Sequence, residues 1–392
     1  MEDDQQTSAL MPRVSVGARG PGRAEALARA LGPGPFAAVF LFVSPDADLG
    51  ALAAGVAQAF GAVPVVGCTT AGEITGAGYA EGEIVAVGLP AGLFLATTLL
   101  VPDLGKIEAQ PLIGQLIRDR QAMARVRPGW DGEFAFLMVD GLSVREDELA
   151  STLARGLGPV PLFGGSAGDG TRFGATFVLH EGRFLQNAAV VTLVRTAARV
   201  KVFSLDHLSP TSARMVVTEA DPAQRRVRGI NAEPAAREYA RILGKDPAQL
   251  TTFTFAAHPV VVRIGGAHHV RAIQQVDGNG DLIFFSAIDE GVVLTLAEPQ
   301  DMVAHLSRAL ADLRGADPRG AGAAPAILAC DCILRRMEAM EKQMTGEISA
   351  VLRSHGVVGF STYGEQVNSM HVNQTMTGVA IYPPDVPGSE GL

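Results

Sequence analysis

Two glycine-rich segments carry hydroxyl and thiol side chains where a small ligand or a nucleophile could be held. Residues 67–73 (GCTTAGE) and 164–169 (GGSAGD) each follow an apolar run typical of a buried strand. Neither is a phosphate-binding loop, because no Gly-Lys-Ser/Thr follows and neither opens a helix. Backbone N–H groups in such turns bind anions or amino acids, so Thr69, Thr70 and Ser166 are candidate ligand contacts.

The same segments also resemble nucleophilic active sites in part. Ser166 and Cys68 are the candidate nucleophiles, but residues 165–168 depart by one position from the Gly-x-Ser-x-Gly turn of hydrolases. Glu73 and Asp169 occupy equivalent places in the two segments, which favours capping of duplicate turns over an acid/base pair. The sequence therefore predicts no catalytic residue, and an α/β enzyme using Ser166 or Cys68 is retained as a third hypothesis.

A histidine at position 371 lies within an unusually polar segment. Residues 361–375 (STYGEQVNSMHVNQT) place it among amide, carboxylate and hydroxyl groups between two apolar runs. Such neighbours orient a single axial imidazole, and without a Cys-x-x-Cys-His sequence any haem would be held non-covalently. His371 is thus the first candidate for an axial ligand; His258, at a predicted strand edge, and then His268 or His269 are the alternatives.

The elements that must position these residues include an internal repeat. Residues 37–43 and 134–140 are apolar strands, each followed by a helix and by a strand that ends in one of the glycine-rich turns. The copies are separated by about 96 residues and differ by a one-residue gap. Antiparallel strands follow each turn, so each copy is a β-α-β segment with an antiparallel portion.

The C-terminal part of the chain has a different pattern. Strands are predicted at residues 253–262, 268–275 and 282–286, with a hairpin turn at residues 277–280 (DGNG). Residues 333–354 are predicted to form one exposed amphipathic helix whose Arg335 and Arg336 could face a partner.

These patterns together predict an α/β fold with mixed sheets and flanking helices, in which the N-terminal domain is an internal duplication and a smaller α/β C-terminal domain follows. The expected segments are a flexible arm at residues 1–20, the N-terminal domain at 21–230, the C-terminal domain at 231–382 and a disordered tail at 383–392. Within the N-terminal domain, the two repeats span about 21–125 and 126–230.

Composition excludes several classes of protein. A net charge of −9 repels phosphate backbones, so nucleic acid is not an expected partner. The longest apolar runs are far shorter than the roughly 20 residues that a membrane-spanning helix needs. Three cysteines in 392 residues argue against a disulfide framework and suit a reducing compartment. The start of the chain does not resemble a secretory signal, and a cytoplasmic location is expected.

The chain resembles the FIST family of intracellular signal-transduction sensors from about residue 37 to residue 382. The motifs that carry the resemblance are residues 67–73, 163–169 and 359–365 (GFSTYGE). Residues 332–336, His258-Pro259 with Arg263, and residues 370–375 make it similar to the NosP-like branch. That resemblance implies non-covalent haem b with an axial histidine, nitric oxide as the signal and a histidine kinase as the partner.

Three hypotheses therefore follow from the sequence. The first is a haem-based nitric oxide sensor, and the second is a FIST sensor of a small metabolite such as an amino acid, with Thr69, Thr70 and Ser166 near the ligand. The third is the enzyme described above. The identity of the axial histidine and the oligomeric state, a homo-oligomer included, stay open.

Overall fold

A computed structural model describes residues 10–264, 266–316 and 324–384 of the chain. Residues 1–9 of the predicted arm, residues 385–392 of the predicted tail and most of a loop predicted at 314–324 lie outside the described residues. The arm prediction is wrong for residues 13–17, which form a strand paired along its whole length with residues 83–87.

The first unit of the fold alternates strands and helices and then adds a short hairpin and a closing strand. Its elements are β1 (Arg13–Gly17), α1 (Arg23–Leu31), β2 (Phe36–Val43), α2 (Leu49–Phe60), β3 (Val65–Thr69), β4 (Glu73–Thr75), β5 (Gly78–Ala80) and β6 (Glu83–Pro90). Asp48 caps the first turn of α2 by accepting a hydrogen bond from the Ala51 N–H at 2.9 Å.

The second unit repeats this order and confirms the predicted duplication. Its elements are β7 (Phe94–Val101), α3 (Ala109–Val126), β8 (Gly132–Val139), α4 (Glu146–Leu157), β9 (Leu162–Ser166), β10 (Val178–His180), β11 (Arg183–Leu185) and β12 (Ala189–Thr196).

A third unit of the same order, which the sequence patterns did not predict, is split by an inserted module at residues 208–299. The third unit begins with β13 (Arg199–Leu205). The inserted module contains β14 (Leu208–Asp221), β15 (Arg226–Ile230), β16 (Glu233–Pro234), α5 (Ala235–Leu243), α6 (Thr252–Ala257), β17 (Val260–Ile264), β18 (Ala267–Val270), β19 (Ile273–Val276), β20 (Leu282–Phe284) and β21 (Val293–Pro299). The unit resumes with α7 (Met302–Gly315), β22 (Ala326–Cys332), α8 (Ile333–Glu341), α9 (Thr345–Ser354), β23 (Val357–Thr362), β24 (Glu365–Val367), β25 (Met370–Val372) and β26 (Met376–Tyr382).

Each unit builds one six-stranded mixed sheet and completes it with a hairpin from another unit. The strand orders are β1-β6-β2-β3-β10-β11, β7-β12-β8-β9-β24-β25 and β13-β26-β22-β23-β4-β5. The parallel pairs β2/β3, β8/β9 and β22/β23 lie at the centres of these sheets. The three units are therefore interlocked, and the α/β class with mixed sheets and flanking helices is confirmed.

A single aromatic core lies between the three sheets. Phe42 of the first unit stacks on Phe360 of the third at a centroid distance of 4.6 Å, and Phe136 stacks on Phe163 at 4.8 Å. All four side chains are fully buried. Burial of this apolar area is the main favourable contribution to holding the units together.

The inserted module has its own curled sheet in the order β18-β17-β21-β14-β15-β20-β19. Its core includes Val217, Tyr239 and Leu294. A second apolar cluster, which contains Val261, Val270 and Tyr363, joins one face of the sheet to the third unit. The sheet thus includes residues before 231, whereas the last strands of the chain belong to the third unit.

Two strand predictions in this module are correct only in part, and of the strand predicted at 253–262 only residues 260–262 lie on a strand, β17. Residues 252–257 form α6, whose first turn is closed by a capping box between Thr251 and Thr254. The predicted strand at 268–275 is divided between β18 and β19, at opposite edges of the sheet. The chain crosses between them at Arg271 and Ala272, whose backbone groups bond to Val260 and Phe285 at 2.9 Å each.

The predicted single helix at residues 333–354 is two helices, because Gln343 has a left-handed backbone with φ of 57°. Arg335 and Arg336 are buried, so the expectation that they face a partner is also wrong. Arg335 is 1% exposed and pairs with Asp331 at 2.7 Å and with His207 Nδ1 at 2.9 Å. Because arginine only donates, His207 Nδ1 accepts, and Nε2–H donates to Glu338 at 3.0 Å.

No helix within the described ranges is both long enough and apolar enough to cross a lipid bilayer.

Candidate functional site

His371 lies on β25, where it is enclosed by polar side chains. It is 1% exposed, and its Nδ1 lies 3.0 Å from Gln366 Nε2. Burial lowers the pKa of the imidazole, so the neutral ring is favoured. Within the described part of the chain, both amide atoms of Asn373 and Oε1 of Gln366 lack a hydrogen-bond partner. The predicted polar surroundings are present, and they are completely buried.

The ring nitrogens of His371 have no open side for an iron ion. Nδ1 faces Gln366, and the opposite edge of the ring lies against the α-carbon of Gly364. A Cβ at position 364 would lie 2.8 Å from His371 Nε2 and 2.8 Å from Asn373 Nδ2. A haem iron needs its axial nitrogen to point into a cavity. This packing therefore does not fit the first-choice axial ligand.

His258 is also poorly arranged to bind iron. It ends α6, and its carbonyl oxygen accepts a hydrogen bond from the Tyr239 hydroxyl. The imidazole is half-buried, and burial lowers its pKa with a further contribution from Lys245. It does not line either of the two pockets described below.

His268 and His269 lie side by side on β18 and point to opposite faces. His268 pairs in register with Arg263 on β17, and His269 pairs with Val262. His268 is exposed, whereas His269 is partly buried, and burial lowers the pKa of His269. Of the four candidate axial histidines, His268 lines a large pocket.

This pocket, the hairpin pocket, has a volume of about 740 Å³ and lies beside the β17–β18 hairpin. Its apolar wall is formed by five aliphatic residues, namely Val262, Ile264, Ile288, Val292 and Val293. Pockets of roughly 300–1,000 Å³ with apolar walls and a few polar groups are typical of cofactor sites. The hairpin pocket has this size and this lining.

Three arginines make the hairpin pocket electropositive. Arg214, Arg263 and Arg271 line it with His268, whereas Asp289 is its one carboxylate. Across the described residues, none of the three arginines forms a salt bridge. Arg271 is largely buried, and this burial lowers its pKa. Arg271 Nη1 donates to the carbonyl oxygens of Val270 and His371 at 3.2 and 3.4 Å, which leave its positive charge without a carboxylate partner. The pocket is therefore suited to an anionic ligand.

The hydroxyl groups predicted to contact a ligand are buried and used within the fold. Thr69 Oγ1 accepts from the Phe177 N–H at 3.0 Å, and Thr70 donates to Glu73. Ser166 Oγ accepts from Gln366 Nε2 at 2.9 Å. Thr69 thus bonds to the segment that leads into the β10–β11 hairpin, and Ser166 bonds to the β24–β25 hairpin. Each of these exchanged hairpins pairs with the sheet of another unit.

Glu73 and Asp169 are not structural counterparts, which corrects the prediction that they cap duplicate turns. Asp169 accepts from the N–H groups of Gly174 and Ala175 at 2.9 Å each. The counterpart of Glu73 is Glu365 in the third unit, and each accepts a hydrogen bond from the threonine three residues before it. Burial raises the pKa of Glu73 to about 7 and that of Glu365 to about 8.

A second large pocket lies at the carboxyl ends of β2 and β3, and we term it the strand-end pocket. Its volume is about 750 Å³, and it is lined by residues 44–46 and 71–73 from these strand ends. Loop residues 169–172, helix α8 and Phe253 of α6 close its other sides. Ligands of open α/β sheets commonly bind outside the carboxyl ends of parallel strands.

Arg214, Arg271 and the pocket that they share with His268 were not predicted from the sequence. Neither arginine belongs to a recognisable motif, and they lie far apart in the chain on β14 and after β18. No group of three or more His, Cys, Asp or Glu side chains that could hold a metal ion occurs in residues 10–264, 266–316 and 324–384. A haem site needs no such group, because a single axial histidine from the protein can hold the iron.

Two family models match the chain in succession. The model described as the FIST N domain matches residues 37–233, and the one described as the FIST C domain matches residues 235–368. No curated protein matches the chain. The boundary between the two matches falls inside the inserted module, close to β16.

Proposed function

This chain belongs to the FIST family of signal-transduction sensor domains, and on that premise we propose that it is a cytoplasmic, haem-based nitric oxide sensor. The hairpin pocket is the proposed haem site. The observation that carries the proposal is the presence of His268 in a cavity of about 740 Å³ that also has an aliphatic wall and three arginines.

The residues of the hairpin pocket match the chemical parts of haem b. The imidazole of His268 would hold the iron, and the aliphatic lining residues Ile288, Val292 and Val293 would contact the macrocycle. Arg214, Arg263 and Arg271 would pair with its two carboxylates, because guanidinium groups bind carboxylates in a planar fork. Bound haem supplies a ferrous iron that coordinates a diatomic gas.

The protein's own contribution is to hold the ligand and to report its presence. Three of the pocket's lining residues, Val262, Arg263 and Ile264, lie on β17, and Val261 of the same strand packs against the third unit. A ligand that binds two arrangements of this hairpin differently would shift their populations. The proposed readout is the activity of a histidine kinase, a partner that rests on the resemblance to the NosP-like branch.

The test is an absorbance spectrum of the full chain produced with a haem supply, in the ferric, ferrous and nitric oxide-bound forms. We expect a Soret band that shifts with nitric oxide and is lost or strongly weakened in His268→Ala. His269→Ala is the matched control, since the neighbouring residue points to the other face of β18 and should retain the band.

The remaining outcomes discriminate between the candidate ligands. Loss of the band in His371→Ala together with its retention in His268→Ala would move the axial ligand to β25. A well-folded wild-type chain with no Soret band would contradict haem binding altogether.

A further inference from the structure

The three units share one order of strands and helices, so a segment that is present in only one unit is a candidate for a functional role. In the first unit, residues 70–72 join β3 to the exchanged hairpin, and in the third unit residues 363–364 join β23 to its hairpin. In the second unit, residues 167–177 make the same connection. This longer loop is not needed to build the framework, because the other two units are complete without it.

The two departures from the repeat meet at one place. Loop residues 169–172 of the second unit form one side of the strand-end pocket. Phe253, from α6 of the inserted module, lies at the same pocket. Both segments are additions to the common unit, and together they enclose a cavity of about 750 Å³ over the strand ends of the first unit.

An apolar surface borders this pocket and is open to solvent. Phe253 is 48% exposed and Met340 is 55% exposed, and Ile333 and Met337 of α8 lie beside them. Phenylalanine and methionine at an open cavity provide a polarisable surface for apolar groups and, through the aromatic ring, for ammonium groups. The exposed side chains therefore suit a ligand with an apolar part.

The charges of the strand-end pocket are predominantly negative. Its guanidinium groups belong to Arg172 and Arg336, and both already have carboxylate neighbours. Arg336 lies 3.3 Å from Glu81, and Arg172 lies 4.0 Å from Asp46. Its carboxyl groups are those of Asp46, Glu73, Glu81, Asp169 and Glu341. Arg336 is buried, and Arg172 Nε donates to the Asp169 carbonyl oxygen at 2.9 Å. Glu341 is exposed at the pocket and, among the described residues, has no salt bridge.

We propose that the strand-end pocket is a second ligand site, which binds a small organic cation with an ammonium group and an apolar substituent. The apolar substituent packs against Phe253 and Met340, and the ammonium group is held by the acidic side of the pocket near Glu341. This proposal does not depend on haem, because the hairpin pocket and the strand-end pocket share no lining residue.

The occupant would couple the inserted module to the framework. Phe253 belongs to the module, whereas α8 and loop residues 169–172 belong to the third and second units. A ligand that contacts all three favours the arrangement in which they surround the pocket together. Binding at this pocket is therefore expected to stabilise the folded chain.

The test uses three probes with the same phenyl-ethyl skeleton, namely phenethylamine, phenylalanine and 3-phenylpropionate. They are a cation, a zwitterion and an anion, and each is titrated into the full chain by calorimetry at low ionic strength. We expect saturable 1:1 binding of phenethylamine and much weaker binding of the other two. Affinity should fall about fivefold in Glu341→Gln, as expected for one partly screened charge.

Variants at exposed positions keep the result independent of folding. Phe253→Leu removes the ring and should also weaken phenethylamine binding, whereas Glu148→Gln changes an exposed carboxylate on α4 and should not. Absence of saturable phenethylamine binding, equal affinity for phenylalanine or 3-phenylpropionate, or no effect of Glu341→Gln would overturn the proposal. The Soret measurement is separate, so either proposal can fail alone.

Discussion

Glu365 is a fully buried carboxyl group on β24, the first strand of the exchanged hairpin of the third unit. Thr375 Oγ1 donates to its Oε2 at 2.7 Å, and Thr362 donates to Oε1. These hydrogen bonds lower the pKa, but the loss of hydration on burial is larger and raises it to about 8 from an ordinary value of 4.5. The folded chain therefore retains a proton on Glu365 at pH values where the unfolded chain has lost it.

This retention makes stability depend on pH in a defined direction. Between pH 4.5 and about 8 the folded state binds more protons than the unfolded state, so the free energy of unfolding falls as pH rises. The contribution of this group is present below pH 4.5 and lost as pH rises through about 8. Its slope is at most about 1.4 kcal/mol per pH unit.

We predict that Glu365→Gln removes this contribution, because the amide is isosteric and does not ionise. Urea denaturation at pH 5, 6, 7 and 8 should show the variant gaining stability relative to wild type at each step. Glu148→Gln on the exposed face of α4 controls for the change of functional group. A wild-type-minus-variant difference that is constant across this range would contradict the assignment.

Besides the aromatic core, the hairpins that pair with the sheet of another unit also join the units, and the β4–β5 hairpin shows how closely they dock. Gly78 begins β5 with φ of +102° and lies against α9. A Cβ at this position would be 2.5 Å from the Ser349 Cβ. Neither the left-handed backbone nor the helix leaves room for a larger side chain.

Gly78→Ala is therefore expected to destabilise the chain by about 1–3 kcal/mol beyond the backbone effect, through overpacking against α9. Gly82→Ala is the matched control, because Gly82 also has a positive φ of +74° and a Cβ added there would have no atom within 4 Å. Thermal or urea unfolding of both variants measures the difference. Equal destabilisation by the two substitutions would show that the docking contact contributes nothing.

The whole molecule is a framework of three units into which one module has been inserted at a single place. The His207 carbonyl oxygen accepts a hydrogen bond from the Gln300 N–H at 2.7 Å, so the two ends of the module are adjacent. Insertions whose ends lie close together can be removed without breaking the host fold. By contrast, the three units share sheets and one aromatic core.

We predict that replacing residues 208–299 by two glycines leaves a framework that unfolds cooperatively, although with lower stability because one face of the third unit becomes exposed. A chain ending at residue 205 should not unfold cooperatively, since the second sheet would lack β24 and β25 and the core would lack Phe360. Urea denaturation followed by fluorescence and circular dichroism distinguishes the two. Cooperative unfolding of the short chain would contradict the interlocked arrangement.

The third unit leaves a trace in the sequence that is too short to be recognised as a repeat. Residues 70–73 (TAGE) and 362–365 (TYGE) share the threonine and glutamate that make equivalent hydrogen bonds. The inserted module separates β13 from the rest of its unit, so the spacing found between the first two copies does not recur. The duplication could be found because its spacing was regular, and the triplication could not.

The sequence by itself determined the α/β class, the first two repeats with the helix that follows the first predicted strand of each, and the membership of the FIST family. Those properties follow from local apolar periodicity and from contiguous motifs, which need no knowledge of distant contacts. Only the tertiary structure decided that His371 is sealed against Gly364 whereas His268 opens into a cavity with Arg214 and Arg271. Burial and cavity shape depend on residues far apart in the chain, and no local pattern specifies which of them meet.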